Sequence, residues 1–268
     1  MPSELALDRF VCFGDSLTEL SWGENGLGAS LAFLYQRRLD VLNRGLSGYN
    51  SDWALPCLKK WLSPKGSDEP KTQLMTIWLG ANDAVLPGEP QHVPLARYLA
   101  NLRAIVALVR DPASAYHSPE TSLVLVTPTP YHPEGWLDER VRRGLPRTHD
   151  RHPERTKEYA DAVMHLGDEL GVPVADAHTA VMDVVREVGE DRLGEFFTDG
   201  LHLNQNAYAA VVEEVKRVIL SSYPEKSWEA IPMLFPHWRE IPNGALGPQY
   251  ATADKAVAEA SAKRVDPF

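Results

Sequence analysis

The chain has 268 residues, and its 44% hydrophobic content can bury one sizeable core, so we expect a single domain with additions. Lys and Arg total 27 against 37 Asp and Glu, a net charge of −10, which disfavours nucleic acid or an anionic membrane as a partner. Two cysteines, an acidic N-terminal stretch and the lack of a long apolar run indicate no disulfide, no secretory leader and no membrane span, and we expect a cytoplasmic protein without metal or cofactor.

Apolar strands alternate with helical patterns through most of the chain. Short apolar runs predict strands at residues 9–13, 41–43, 74–79, 122–126 and 172–175. Apolar residues at helical spacing predict helices at residues 28–38, 95–109, 155–170, 179–188 and 204–220. A further helical pattern at 53–61 contains Pro56, which should restrict it to a first turn or a bend. Strands separated by helices pair in parallel through right-handed crossovers, which predicts an α/β fold with a sheet covered on both faces.

Two regions depart from this alternation. Residues 131–153 are rich in charge, Pro and His, and such a long connection is commonly a lid or binding loop. Its basic residues, Arg140, Arg142, Arg143, Arg147 and Arg151, are expected to form a solvated face of a helix or loop. Its histidines, His132, His149 and His152, are expected to lie on the surface or in a pocket rather than on zinc.

Periodicity also fails after Pro224, where an aromatic tract at 228–238 precedes a polar, Ala-rich end. We expect a domain at 1–223 and an extension at 224–268 that packs on this domain or on a partner subunit. Since exposed aromatic tracts are unusual on monomers, the tract favours a homodimer.

The stretch Phe13-Gly14-Asp15-Ser16-Leu17 ends the first predicted strand with a glycine, an acid and a hydroxyl. A strand that ends in this way usually leads into a helix, which would place Ser16 on the turn with its N–H near the positive helix end. That is a suitable position for a nucleophile. Taken alone, the same residues are more typical of a helix cap.

A second polar motif, Asp199-Gly200-Leu201-His202, stands before the last long helix. An acid three residues before a histidine can hold one imidazole nitrogen while the other faces outward, as a general base requires. The alternative is that Asp199 caps a turn and His202 is a half-buried histidine with satisfied hydrogen bonds.

Two further strand ends carry potential donors. Gly48 follows the second strand and Asn82 follows the third, so a glycine N–H and a side-chain amide should project from the carboxyl edge of the sheet. Donors of this kind can hold an oxyanion, although each segment could also be an ordinary turn.

Together these segments resemble the SGNH hydrolases, also called GDSL esterases and lipases, and more narrowly their isoamyl acetate-hydrolysing esterase branch. The matching blocks are Gly14-Asp15-Ser16-Leu17, Ser47-Gly48-Tyr49, Gly80-Ala81-Asn82-Asp83 and Asp199-Gly200-Leu201-His202. The resemblance implies a three-layer α/β/α sandwich with a five-stranded parallel sheet, which is flavodoxin-like. The Gly-x-Ser-x-Gly motif of the α/β-hydrolase fold is absent, because Thr18 follows Leu17.

The resemblance also implies roles for single residues. Ser16 would be the nucleophile, His202 the base and Asp199 its orienting acid, and the N–H groups of Ser16 and Gly48 with the Asn82 amide would form the oxyanion hole. We expect a serine esterase that hydrolyses small-molecule esters with short to medium acyl chains through an acyl-enzyme intermediate. Thioesters, lysophospholipids or acetylated sugars are alternative substrates, and a non-catalytic binding module is an alternative of another class. Tyr49, Trp53 and Leu17 are expected to bind substrate, although the aromatic residues could equally be core.

Overall fold

The computed structural model describes residues 6–241, which form one parallel sheet flanked by helices. The strands are β1 (Asp8–Gly14), β2 (Leu39–Gly45), β3 (Thr72–Trp78), β4 (Ser122–Val126) and β5 (Val174–Ala175). The α-helices are α1 (Ser16–Glu19), α2 (Leu27–Leu34), α3 (Ser51–Trp61), α4 (Leu95–Arg110), α5 (Pro133–Arg142), α6 (Pro153–Leu170), α7 (Ala177–Val188) and α8 (Gln205–Ser222). Turns of 3-10 helix cover Leu20–Trp22, Glu190–Phe196, Pro224–Lys226 and Trp238–Glu240.

The strand order is β2-β1-β3-β4-β5, with every neighbouring pair parallel. This is the flavodoxin-like order, so the predicted fold class is confirmed. The chain adds β2 on one side of β1 and the later strands on the other side, so the order of the strands reverses between β1 and β3. Ligands of such sheets bind beyond the carboxyl ends of the strands at that point. Gly14 is paired with Gly45 on one side and with Trp78 on the other. The loops that follow β1, β2 and β3 therefore begin at the same level.

Two hydrophobic layers cover the faces of the sheet. In β1, Phe10 and Cys12 pack into one layer, whereas Val11 and Phe13 pack into the other. Helices α2, α7 and α8 supply apolar side chains to the first layer, and α3, α4 and α6 supply them to the second. Because alternate side chains of a strand point to opposite faces, this arrangement is a three-layer sandwich.

Three local predictions need correction. Helix α5 lies inside the segment 131–153, where the sequence indicates a lid or binding loop. Helix α3 continues through Pro56, which lies on the exposed side of the helix, where water can replace the missing backbone hydrogen bond. Helix α2 ends at Leu34, before the predicted limit, and Arg37 adopts a positive φ of 59° that ends helical geometry.

The chain divides into two units, Met1–Pro232 and Met233–Phe268. The start of the expected extension belongs to the first unit: the Trp228 ring packs edge-on to Tyr35 at 6.1 Å, and Ile231 also contacts that core. In the second unit the Trp238 side chain is 69% exposed. The remainder of the extension, 242–268, lies outside the described residues. Within residues 6–241, no helix is both long and apolar enough to cross a membrane.

Candidate active site

Ser16 is the first residue of α1, and only Asp15 separates it from β1. Asp15 caps this helix, because its Oδ1 accepts the Leu17 N–H at 2.9 Å. The turn is held to β3 as well, since the Asp15 N–H donates to the Trp78 carbonyl at 3.3 Å. The Ser16 backbone is thus fixed on both sides, and its hydroxyl faces a cavity.

His202 connects Ser16 to Asp199. Its Nε2 lies 2.9 Å from Ser16 Oγ, and its Nδ1 lies 2.6 Å from Asp199 Oδ2. The other carboxylate oxygen, Oδ1, accepts the backbone N–H groups of Leu201 at 3.0 Å and His202 at 2.8 Å. An acid held in this way fixes the tautomer of the imidazole, leaving Nε2 free to accept a proton from the serine hydroxyl.

The Asp199 carboxyl is half-buried and remains ionised. Burial alone would raise its pKa, but hydrogen bonds from the His202 ring and from the N–H groups of His202 and Leu201 outweigh this effect and lower the pKa to about 2. A negative charge is therefore present beside the imidazole at neutral pH, where it can stabilise the imidazolium.

The N-terminal end of helix α5 packs against the loop that carries Asp199. The His132 N–H donates to the Gly200 carbonyl at 2.7 Å. Gly200 has a φ of +87°, and a Cβ there would lie 2.1 Å from the Trp136 backbone nitrogen. Only glycine suits both the backbone angle and this close approach. Gly200 therefore permits the tight packing of α5 on this loop.

The predicted oxyanion donors line the same cavity as His202. Asn82 follows β3, and its Nδ2 donates one hydrogen to the Tyr49 carbonyl at 2.9 Å, leaving a second hydrogen. Gly48 has a φ of +79° in the turn closed by the Tyr49 N–H and the Leu46 carbonyl, 3.0 Å apart. Ser16, Gly48, Asn82 and His202 all line one cavity of about 580 Å³. The structure thus brings together the five residues that the sequence placed in the triad and the oxyanion hole.

One wall of this cavity comes from the segment 131–153. Its lining side chains are Trp136, Arg140, Arg143, Leu145, Asp150 and Arg151. Arg140 and Arg151 are only 8% and 3% exposed, so the prediction of a solvated face is wrong for these two. Both contact the buried Asp150, Arg140 at 2.7 Å and Arg151 at 3.3 Å. Arg151 also stacks on Trp136, with its guanidinium carbon 4.9 Å from the ring centre. The ion pairs with Asp150 and the stacking on Trp136 compensate for the water that the two guanidinium groups lose on burial.

The predicted substrate contacts are placed less favourably. The Leu17 side chain is 1% exposed and packs in the core, so its placement argues against a substrate contact. Tyr49 and Trp53 are 36% and 43% exposed and pack edge-on at 6.1 Å, but neither lines the described cavity. This exposure contradicts the alternative that Tyr49 and Trp53 are core residues.

Two buried acids lie close to the candidate triad. Burial raises the pKa of Asp15 to about 7, and repulsion from Asp83 adds to this effect. Burial likewise raises the pKa of Asp83 to about 7, against a hydrogen bond that its Oδ1 accepts from the Ser51 N–H at 2.9 Å. In the described part of the chain, Oδ2 of each acid has no hydrogen-bond partner. No sequence pattern indicated this pair of buried acids.

The three loop histidines do not converge on one point. His132 caps α5, with its Nδ1 accepting the Gly135 N–H at 3.1 Å, and the His149 and His152 rings lie 5.8 Å apart. Among residues 6–241, no group of three or more His, Cys, Asp or Glu side chains is arranged to hold a metal ion.

The sequence profile of the GDSL-like lipase and acylhydrolase family matches residues 12–210, which include all five residues of the candidate site. The chain belongs to this family. GDSL proteins are carboxylic ester hydrolases, and the chain is an enzyme of that class.

Relatives of this GDSL enzyme resemble it over most of their length. A Bos taurus protein named isoamyl acetate-hydrolyzing esterase 1 homolog is 36% identical over 241 residues, which cover 89% of this chain and 90% of the relative. The isoamyl acetate-hydrolyzing esterase of Saccharomyces cerevisiae is 32% identical over 87% of this chain and 95% of its own. The resemblance proposed from the motifs is confirmed.

A solved structure, the lipase/acylhydrolase from Enterococcus faecalis, has a TM-score of 0.54 and 24% identity. It covers 80% of the GDSL enzyme described here and 96% of its own chain. At 24% sequence identity, this structural similarity shows that the two proteins share a fold and nothing further.

Proposed function

We propose that this GDSL enzyme hydrolyses short- to medium-chain carboxylic esters through an acyl-enzyme formed on Ser16. The supporting observation is the continuous contact from Asp199 Oδ2 to His202 Nδ1 at 2.6 Å and from His202 Nε2 to Ser16 Oγ at 2.9 Å. A cavity of about 580 Å³ at the serine suits a small ester. The yeast relative is named for isoamyl acetate, a short ester.

In the first half-reaction, Ser16 Oγ attacks the ester carbonyl carbon while its proton moves to His202 Nε2. The negative charge on Asp199 stabilises the imidazolium. When the tetrahedral intermediate collapses, the carbon–oxygen bond to the alcohol breaks and His202 returns the proton to the leaving oxygen. Water then attacks the acyl group by the same route and restores the free serine.

The developing oxyanion needs donors that are already oriented. We assign this role to the N–H groups of Ser16 and Gly48 and to the second hydrogen of Asn82 Nδ2. These groups lie at the carboxyl ends of β1, β2 and β3, which the strand pairing keeps level. The shared cavity lined by Ser16, Gly48 and Asn82 supports their joint contact with one oxygen atom.

A serine-directed fluorophosphonate probe tests the nucleophile. The wild-type enzyme should be labelled at Ser16, and Ser16→Ala should lose both labelling and esterase activity while its melting temperature is kept. Ser222→Ala, at the exposed end of α8, is the matched control and should label as wild type does. Labelling of a different serine, or activity in Ser16→Ala, would show that the nucleophile is misassigned.

Substrate range is tested with nitrophenyl esters of increasing acyl length, measured against a thioester, a lysophospholipid and an acetylated sugar. We expect kcat/KM to be highest for short or medium acyl chains and to fall with long ones. A maximum for any of the other three substrates would replace the proposed substrate class while leaving the triad in place.

The expected homodimer and cytoplasmic location are also proposals. Exposed apolar side chains at Met233 and Trp238 support self-association. Sedimentation of the full chain and of Trp238→Ser tests it, because a dimer formed through this tract should weaken in the variant. Fractionation of expressing cells with an activity assay tests the compartment.

A further inference from the structure

Gln91 lies in the loop between β3 and α4, outside every motif that the sequence brought forward, yet it lines the cavity beside Gly48 and Asn82. Its side-chain Nε2 donates to the Gly48 carbonyl at 2.7 Å and to Asn82 Oδ1 at 3.2 Å. One amide nitrogen is thereby bonded to two of the three residues assigned to the oxyanion hole.

From this geometry we infer that Gln91 is a positioning residue, which fixes the orientation of the Gly48 and Asn82 donors. The inference rests on the proposed function, because it needs those two residues to bind the oxyanion.

The hydrogen bonds determine how the Asn82 amide is turned. Its Nδ2 donates to the Tyr49 carbonyl and its Oδ1 accepts from Gln91 Nε2. A flipped amide would set its oxygen against the Tyr49 carbonyl and its NH₂ group against the NH₂ group of Gln91. Both contacts would be repulsive, so the bonded orientation is strongly preferred. In that orientation the second hydrogen of Nδ2 remains free for an oxyanion.

Gly48 needs the same restraint for a different reason. With a φ of +79° and no side chain, its backbone has more freedom than any other residue type would have at this edge of the sheet. The bond from Gln91 Nε2 to its carbonyl limits rotation of the following peptide. A hydrogen bond thus supplies a rigidity that a glycine backbone lacks.

Gln91 is itself held in place by Asn50. The Asn50 Nδ2 donates to the Gln91 carbonyl at 2.9 Å, while its Oδ1 accepts the Trp53 N–H at 3.0 Å as the cap of α3. Both hydrogens of Gln91 Nε2 are used, so Gln91 has none left to donate to substrate. It therefore acts through its neighbours rather than on the reacting atoms.

Two substitutions test the inference. Gln91→Met keeps much of the side-chain volume and removes both donors, and Gln91→Glu places a carboxylate oxygen against two acceptors. We expect kcat to fall about 10-fold to 100-fold in Gln91→Met, less than the roughly 100-fold to 1,000-fold typical for loss of an oxyanion donor itself. Gln91→Glu should fall further. KM should stay within about twofold, since a positioning defect weakens the transition state more than the ground state.

A double-mutant cycle with Asn82→Ala supplies the decisive comparison. If Gln91 acts through Asn82, Gln91→Met should lower kcat much less in the Asn82→Ala background than in wild type. Gln36→Met, at an exposed position beyond α2, is the control and should match wild type. Thermal unfolding checks that each variant is folded.

Each outcome of the cycle is informative. Wild-type kcat in both Gln91 variants overturns the inference about Gln91. An equal loss in both backgrounds overturns the part of it that runs through Asn82, because the bond to Gly48 is present in both. Wild-type kcat in Asn82→Ala instead overturns the proposed oxyanion hole, and Gln91 loses its role with it.

Discussion

Arg143 Nη2 lies 3.3 Å from Asp199 Oδ2, the same carboxylate oxygen that His202 Nδ1 contacts. Arg143, which follows the last residue of α5, thus competes with the His202 imidazole for contact with the Asp199 carboxylate. Arg143 also stacks on Trp136, with its guanidinium carbon 5.1 Å from the ring centre. The wall of the cavity and the candidate triad are therefore electrostatically linked.

Removal of this guanidinium should strengthen the hold of Asp199 on the imidazolium. We expect Arg143→Met to move the acid limb of the pH profile of kcat/KM to higher pH by a few tenths of a unit, a small shift because Arg143 is partly exposed. Arg142→Met is the matched control, because Arg142 and Arg143 both pair with Glu139 but Arg142 makes no hydrogen bond to Asp199. Identical profiles for the two variants would contradict the link.

Asn82→Ala should lower kcat by about 100-fold to 1,000-fold, the usual loss for one oxyanion donor. Asn82→Asp should lose at least as much, since a negative charge would face the developing oxyanion. Steady-state kinetics on a nitrophenyl ester measures both. Asn206→Ala, exposed on α8, is the control for a general effect of losing an amide. An active Asn82→Ala enzyme would remove this residue from the proposed site.

Gly200→Ala should destabilise the protein and reduce activity, because its Cβ would meet the Trp136 backbone nitrogen at 2.1 Å. Gly66→Ala separates this collision from backbone strain, since Gly66 has a similar φ of +76° and a Cβ added there would meet nothing within 4 Å. We expect Gly66→Ala to cost about 1–2 kcal/mol and Gly200→Ala clearly more. Equal unfolding free energies for the two variants would argue against close packing at Gly200.

Asp83→Asn should change how stability depends on pH. Burial raises the pKa of Asp83 to about 7, whereas an unfolded Asp titrates near pH 4. As pH rises from about 4 to 7 the unfolded state releases its proton first, so the stability of the wild-type protein falls over this window and then levels off. Asn keeps an acceptor for the Ser51 N–H but cannot ionise.

We therefore expect Asp83→Asn to melt several degrees above wild type at about pH 8, with the difference shrinking towards about pH 4. Thermal unfolding across this range measures it, and Asp68→Asn, on an exposed loop, is the control. A difference that does not change with pH would show that the pKa of Asp83 is not raised in the folded protein.

The parts of the site that the sequence predicted are those that depend on strand order. Ser16, Gly48 and Asn82 each follow a strand of a parallel sheet, and this topology alone brings the strand carboxyl ends to one edge. Asp199 and His202 could be paired because they are three residues apart. The distances between these groups come from the three-dimensional structure and not from the sequence.

The parts that the sequence missed depend on contacts between distant segments. Arg140 is buried because Asp150 folds back to pair with it, and a run of charged residues read alone indicates a solvated face. The Gln91 side chain bonds to residues 9 and 43 positions away in the chain. Such contacts leave no periodic pattern, so no local signal could have indicated them.

The wall formed by residues 131–153 has a practical consequence for engineering this enzyme. The candidate catalytic groups stand on the sheet edge and on the loop before α8, whereas six other residues that line the cavity come from one continuous stretch, 131–153. A mutant library confined to this segment is expected to change the choice of ester. Gly135, Trp136 and Arg143 should be held constant, because they pack on the Gly200 loop or contact Asp199.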